Sequence, residues 1–371
     1  MMKPEKVLMS ADTAGGVWTY SIELAAALAK KGVSVALATM GAPLSNEQLS
    51  DVKRVPGLEC FESGFRLEWM DDPWENVRLA GQWLLRLERY VKPEMIHLNG
   101  YSHGSLPFKA PVVVVGHSCV LSWWEAVRGG RAPAVWHRYW REVSRGLACA
   151  GAVAAPTEAM LSSLRRFYDF KTPSFVIPNG RDASFFMAGE KENFIFTAGR
   201  LWDEAKNTAA LQDVASSLPW PVYAAGQSRH SSGSLKENGR LKMLGALSAR
   251  ELATWLSKAA IFSSPALYEP FGLTALEAGL SGCALVLGDI PSLRETWDGA
   301  ALFVDPKDRA ALKEALLALI NDKAMRSALS WKAMERALAY TPGRLSEGYL
   351  ELYRAALSGR ETAGEGRECA L

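Results

Sequence analysis

The sequence predicts an α/β protein built from two doubly wound parallel sheets. Short apolar runs rich in Val, Ile and Ala alternate with longer helical stretches. The strand-like runs are apolar throughout, with no polar alternation, which suits strands covered on both faces. The rhythm starts twice, at KVLMS near the N-terminus and again at FIFTAGR, residues 194–200. A chain of 371 residues has room for two domains of ordinary size.

KVLMS is a strand that runs into the loop ADTAGGV and then into VWTYSIELAAALAKKG. There Tyr20, Leu24 and Leu28 recur at helical spacing, and Gly32 stands where a helix C-cap belongs. VSVALAT completes a βαβ opening. MIHLN, PVVVVGH, GAVAAPT and SFVIPN read as further buried strands, and the stretches 41–76 and 120–135 read as loops. Pro, Gly and charge content around 178–193 marks a hinge. The N-terminal domain is therefore expected over 1–180 and the C-terminal domain over 190–340. WPVYAAG, IFSSPAL, CALVLGD and AALFVD supply the second domain's remaining strands. SRHSSGSLKENGR (228–240) is expected to be an exposed, mobile loop. Three helical stretches follow, the last being SEGYLELYRAAL, and the tail 359–371 has little to bury and is expected to be disordered.

With 49% hydrophobic and 10% aromatic residues the chain can fill two cores. A net charge of +2 points to no polyanionic partner, and nothing resembles a nucleic-acid reader. The start MMKPEKVLMS lacks the apolar region of a signal peptide, and no stretch reaches membrane-span length. The five cysteines are scattered and form no CxxC, so free thiols in a reducing cytoplasm are expected.

Three segments carry candidate chemistry. Gly15 and Gly16 sit between strand and helix, where bare N–H groups and the helix dipole can hold an anion. They do not form GxGxxG, and the alternative is that they merely make a tight βα turn. Arg200 and Lys206 stand beyond the strand FIFTAG; they suit a diphosphate, or a local ion pair with Asp203 or Glu204. In EPFGLTALE (269–277), Pro270 keeps Glu269 out of the helix, while Phe271, Gly272, Leu273 and Thr274 offer free N–H groups at its start. If the segment were wholly helical, its two carboxylates would lie about 12 Å apart. Glycosidase pairs need about 5–9.5 Å, so Glu269 and Glu277 suit hydroxyl acceptance at two ends of a ligand, with phosphate between.

These residues carry a resemblance. Glu269 and Glu277 form the E-x7-E signature of retaining GT-B glycosyltransferases of the family 4 type. The ordered series GGV, VVVVGHS, VIPNGRD, AGRLWDEAKN, LGAL, EPFGLTALEAGLSG and IPSLRE extends the likeness over nearly the whole chain. The resemblance implies two Rossmann-like domains facing a central cleft, with the helix 345–358 joining the N-terminal domain. It implies that Glu269 contacts the donor sugar, Glu277 the ribose, and Arg200 and Lys206 the diphosphate. It further places Gly15 and Gly16 at the phosphate or acceptor, His117 at the reacting sugar, and Gly245, Leu247 and Ser248 near the base. Arg181 departs from the pattern, whose NGxD turn usually carries an aliphatic residue there.

The activity implied is metal-independent transfer of a sugar from a nucleoside-diphosphate donor to an acceptor hydroxyl, in envelope polysaccharide or glycolipid synthesis. No cofactor is expected, and no D-x-D exists to clamp a metal. A nucleotide-sugar epimerase and a non-catalytic sugar-nucleotide-binding protein are the alternatives. GYSHG (100–104) matches the nucleophile-elbow pattern, but Pro107 and Pro111 deny it the following helix. WHRYWREVSR (136–145) spaces Trp136, Tyr139, Trp140 and Val143 helically, with Arg138, Arg141 and Arg145 elsewhere on the helix. Two readings stand: peripheral membrane or anionic-acceptor contact through 128–145, and a packed helix with a solvated basic face. Residues 1–180 hold 20 basic and 17 acidic residues, an excess that does not demand anionic lipid. A histidine after a buried strand, such as His117, is also commonly just a satisfied core residue.

Overall fold

The computed structural model describes residues 3–227, 229–230, 233–234 and 241–363. It divides into two compact units: Met1–Glu125 with Gly130–Gly180 and the segment from Pro342, and Ala126–Gly129 with Arg181–Thr341. Each unit is organised around one parallel sheet.

The first unit's sheet has seven strands, ordered Glu59–Glu62, Ser34–Met40, Lys6–Asp12, Met95–Leu98, Val112–Val115, Ala152–Ala155 and Ser174–Val176. The order reverses between Lys6–Asp12 and Met95–Leu98, so the loops after those strands flank a switch point where doubly wound sheets take ligands. The helix Gly16–Lys30 buries Tyr20, Leu24 and Leu28 as its periodicity predicts. Gly32 adopts φ +72° just past that helix, which explains the glycine. The helix Pro342–Ala363 belongs to this unit, and Leu345, Tyr349, Leu352 and Tyr353 enter its core.

The second unit's main sheet has six strands, ordered Leu241–Gly245, Val222–Ala225, Glu192–Ala198, Ala259–Ser264, Ala284–Gly288 and Leu302–Val304. Numbered within the unit this is 3-2-1-4-5-6, the dinucleotide-fold order. Its switch point lies between Glu192–Ala198 and Ala259–Ser264, the strands that lead into Arg200 and Glu269. Apolar clusters fill both faces of this sheet, one around Phe196, Phe262 and Trp297 and the other around Ile195, Ile261 and Leu316.

Several expectations need correction. The stretch 41–76 is not wholly loop: it holds the helix Asn46–Arg54 and the edge strand Glu59–Glu62. Ser45 and Gln48 form a reciprocal capping box at that helix, a signal present in the sequence. Likewise 120–135 contains the helix Val120–Arg128. The terminal helix runs on to Ala363, so 359–363 are helical and only 364–371 of the expected tail lie outside the described residues. The loop 228–240 also lies outside them, save for a small antiparallel pair, Arg229–His230 with Gly233–Ser234. Cys60, Cys119 and Cys283 are free thiols, but Cys149 is disulfide-bonded. Spacing along the chain had no bearing on which sulfurs the fold brings together. Among the described residues, no helix is long and apolar enough to cross a membrane.

Candidate functional site

In the second unit, the site is assembled where the two switch-point strands end. Gly199 and Gly226 close neighbouring strands so tightly that a Cβ on Gly226 would lie 1.8 Å from the Gly199 carbonyl oxygen. Past Gly199, Arg200 donates to Asp203 at 3.1 Å and packs 5.7 Å from the Trp202 ring. Asp203 also caps the short turn Glu204–Lys206 through the Ala205 N–H. The local ion pair therefore forms for Arg200 but not for Lys206. Lys206 instead reaches across 63 positions to bond the Glu269 carboxylate.

The loops bearing these two residues are cross-bonded. Asn207, at φ 52°, donates its amide to the carbonyls of Pro265 (2.8 Å) and Pro306 (2.7 Å). The Leu267 N–H donates to the Ala205 carbonyl at 2.8 Å. From the other side the Ser292 hydroxyl donates to the Glu269 carbonyl. Thus both backbones presenting Lys206 and Glu269 are pinned by hydrogen bonds, which holds their charges at a fixed separation.

Glu269 and Pro270 precede the helix Leu273–Leu280, whose N-cap is Gly272 at φ +89°. The first N–H to close an intrahelical bond is that of Leu276, to the Gly272 carbonyl. Helix geometry leaves the N–H groups of Leu273, Thr274 and Ala275 outside that ladder, with the positive dipole end added to them. Glu277 lies within this helix, almost fully buried, and its Oε1 is 2.8 Å from the Nε of Arg181. Gly245 ends its strand at φ +72°, Leu247 packs onto the core beneath, and Ser248 caps the next helix in a box with Glu251.

In the first unit, Gly15 is the N-cap of the helix Gly16–Lys30 at φ 71°, ψ −146°, a conformation that residues with a Cβ rarely adopt. His117 follows the strand Val112–Val115 by two residues and donates into a part-buried network. Asn99 is its organiser. Its amide nitrogen bonds the Ser10 carbonyl (2.7 Å) and the Ser21 hydroxyl (3.2 Å), and its oxygen meets His117 Nε2 (2.8 Å) and His97 Nε2 (3.1 Å). The Ser10 carbonyl can only accept, so the Asn99 orientation is fixed and its oxygen must be an acceptor. Both histidines are therefore protonated on Nε2. His97 Nδ1 accepts from the Tyr353 hydroxyl at 2.7 Å. Burial lowers both imidazoles to about 3, and for His117 the neighbouring His97 adds to this. His117 is thus a neutral imidazole whose Nδ1 carries a lone pair.

GYSHG is no nucleophile elbow. Ser102 bonds the Glu68 carboxylate, which also accepts the Tyr101 and Ser102 N–H groups. His103 Nε2 lies 2.9 Å from the Val77 carbonyl, and only a short 3-10 turn follows. Its second glycine serves packing: a Cβ on Gly104 would lie 2.5 Å from the Gly146 carbonyl oxygen. Gly146 belongs to the helix His137–Cys149, which buries Tyr139 and Val143. Trp140 of that helix stays 47% exposed and Val135 just before it 78%, while Arg141 and Arg145 contact Glu142. The packed-helix reading holds for half of the aromatic stripe only. Among the described residues no cluster of His, Cys, Asp and Glu has metal-binding geometry.

Two Rossmann-type units, with cationic and acidic groups at the second unit's switch point, define a GT-B type of protein. The comparisons agree: the model "Glycosyltransferase Family 4" matches residues 14–185 and "Glycosyl transferases group 1" matches 183–336. The chain belongs to the family 4 type of glycosyltransferases. It is 28% identical over 171 residues to the N,N'-diacetylbacillosaminyl-diphospho-undecaprenol alpha-1,3-N-acetylgalactosaminyltransferase of Campylobacter jejuni, covering 45% of this chain and 38% of that protein. The chain spans well under half the length of the curated relatives it matches. Among solved structures, a sucrose-phosphate synthase from Thermosynechococcus elongatus superposes with a TM-score of 0.82 at 19% identity, covering 96% of this chain and 100% of that one. Anabaena HepE in complex with UDP-glucose gives 0.74 at 16% identity, covering 96% and 100%. These structural likenesses establish the fold.

Proposed function

We propose that the protein is a retaining, metal-independent glycosyltransferase that moves a sugar from a nucleoside-diphosphate donor to an acceptor hydroxyl. The observation that carries this reading is the Lys206–Glu269 pair, pinned beside a free helix N-terminus at the switch point. A departing diphosphate develops negative charge as the glycosidic bond breaks. Arg200, Lys206 and the N–H groups at the start of the helix Leu273–Leu280 meet it with charge already in place, which removes the cost of reorganising solvent. Glu269, bonded to Lys206, accepts hydrogen bonds from donor-sugar hydroxyls, and Glu277 accepts those of the ribose. Attack of the acceptor hydroxyl on the face that the diphosphate leaves forms the new C1–O bond as the old one breaks, the hydroxyl proton passing to the departing diphosphate oxygen, and gives retention without a protein nucleophile. His117, through Nδ1, accepts a hydrogen bond from a hydroxyl of the reacting sugar, and Gly15 and Gly16 let backbone approach the phosphate or acceptor. Gly245 and Leu247 flank the base.

The relative from Campylobacter jejuni is named for a polyprenyl-diphosphate-linked acceptor, and the HepE structure holds UDP-glucose. They support an envelope glycolipid or polysaccharide acceptor and a nucleotide-sugar donor for this chain. Exposed Val135 and Trp140 beside Arg141 and Arg145 support peripheral membrane contact at a cytoplasmic face. Incubation of UDP-, GDP- and ADP-sugars with and without a membrane extract as acceptor source tests the reaction class. Label should pass to the extract with the anomeric configuration kept and with no loss in EDTA. Efficient conversion of the free donor to its epimer would identify an isomerase instead.

A further inference from the structure

We propose that Arg181 is a positioning residue for Glu277, fixing its carboxylate for the ribose of the donor. This rests on the reading of Glu277 as the ribose acceptor and adds to it a residue where the family pattern has an aliphatic one. Arg181 and Glu277 side chains are 11% and 7% exposed, with Arg181 Nε 2.8 Å from Glu277 Oε1. The guanidinium is itself held: its carbon lies 4.9 Å over the Phe186 ring, and the Arg181 backbone N–H donates to the Tyr340 carbonyl at 3.0 Å. Tyr340 in turn packs edge-on against Phe271 of the EPFG turn, with ring centroids 5.6 Å apart. Arg181 is therefore braced at both its guanidinium and its backbone.

A carboxylate buried this deeply without a cation would favour its neutral form, which donates one hydrogen and accepts weakly. The Arg181 guanidinium supplies the counter-charge that such a carboxylate needs. Its Nε also lies against Oε1, so the ion pair holds the carboxylate from that side. An aliphatic side chain at 181 could do neither.

The test measures discrimination, because a merely structural residue would weaken every ligand alike. UDP, GDP and ADP, each beside its 2′-deoxy and 3′-deoxy counterparts, are titrated calorimetrically into wild type, Arg181→Val, Arg181→Lys and Glu277→Gln. Wild type should prefer the ribonucleotide about tenfold, the worth of one charge-assisted hydroxyl bond. Arg181→Val and Glu277→Gln should both bring that ratio within about twofold by weakening the ribonucleotide alone, and Arg181→Lys should restore part of it. If Arg181→Val fails to fold, Arg181→Met, which is closer to arginine in length, is measured in its place. A ratio that collapses in Glu277→Gln but survives in the Arg181 variants overturns the role of Arg181. A ratio unchanged by Glu277→Gln, or no binding of any of the nucleotides, overturns the ribose assignment together with it.

Discussion

The buried histidines of the first unit should make it acid-labile within a defined window. His97 and His117 are held near pKa 3 in the fold, chiefly by burial, against about 6.5 for an unfolded histidine. Their folded values are depressed, so below pH 6.5 the unfolded chain binds protons that the fold refuses. Stability is therefore full above that pH and falls as pH drops towards 3. Between pH 7.5 and 5.5 each imidazole should remove about 1 kcal/mol, and the two together about 2–3 kcal/mol. His103, also lowered by burial, adds to this in the same direction. The window stays above the range in which carboxylates such as Glu125 and Asp289, whose arginine partners hold them low, begin to protonate. Urea denaturation at pH 7.5, 6.5 and 5.5, followed by fluorescence and circular dichroism, measures the slope. His97→Gln should lower absolute stability but reduce the slope by about one proton. Equal stability at pH 7.5 and 5.5, or an unchanged slope in the variant, would refute the assignment of neutral imidazoles.

Other substitutions probe how the donor loops are held. Gly226→Ala puts a Cβ 1.8 Å from the Gly199 oxygen at φ +135°; backbone strain alone should cost about 1–3 kcal/mol, seen as a lower melting temperature and weaker nucleotide binding. Asn207→Ala orphans the carbonyls of Pro265 and Pro306, and calorimetric unfolding should show a loss of about 1–3 kcal/mol for each. Lys206→Ala should lower kcat by about 10²–10³-fold with little change in thermal stability, read by label transfer from the donor.

The architecture was legible because apolar runs without alternation, such as VVVV at 112–115, can only be strands covered on both faces. The E-x7-E segment was legible too, since Pro270 and Gly272 dictate a turn into a helix. What escaped is what depends on distance across the fold. Lys206 was expected to have the neighbouring acids as its competitors, yet its partner is Glu269. Asn99 and His97 carry no local mark of function, and they set the His117 tautomer only because three strands and the terminal helix converge. Arg181 stood out as a departure, but its partnership with Glu277 required the helix Leu273–Leu280 to be placed. The helix Asn46–Arg54 was missed although Ser45 and Gln48 spell its cap, because an exposed polar helix shows no apolar stripe.

The central claim is that the second unit grips a nucleoside diphosphate through Arg200 and Lys206. Titration calorimetry of UDP, GDP and ADP into wild type, Arg200→Ala and Lys206→Ala tests it directly. At least one nucleotide should bind the wild type, and each alanine variant should weaken it by about tenfold or more, the worth of one charge-assisted phosphate contact. Undiminished affinity in both variants would contradict the account.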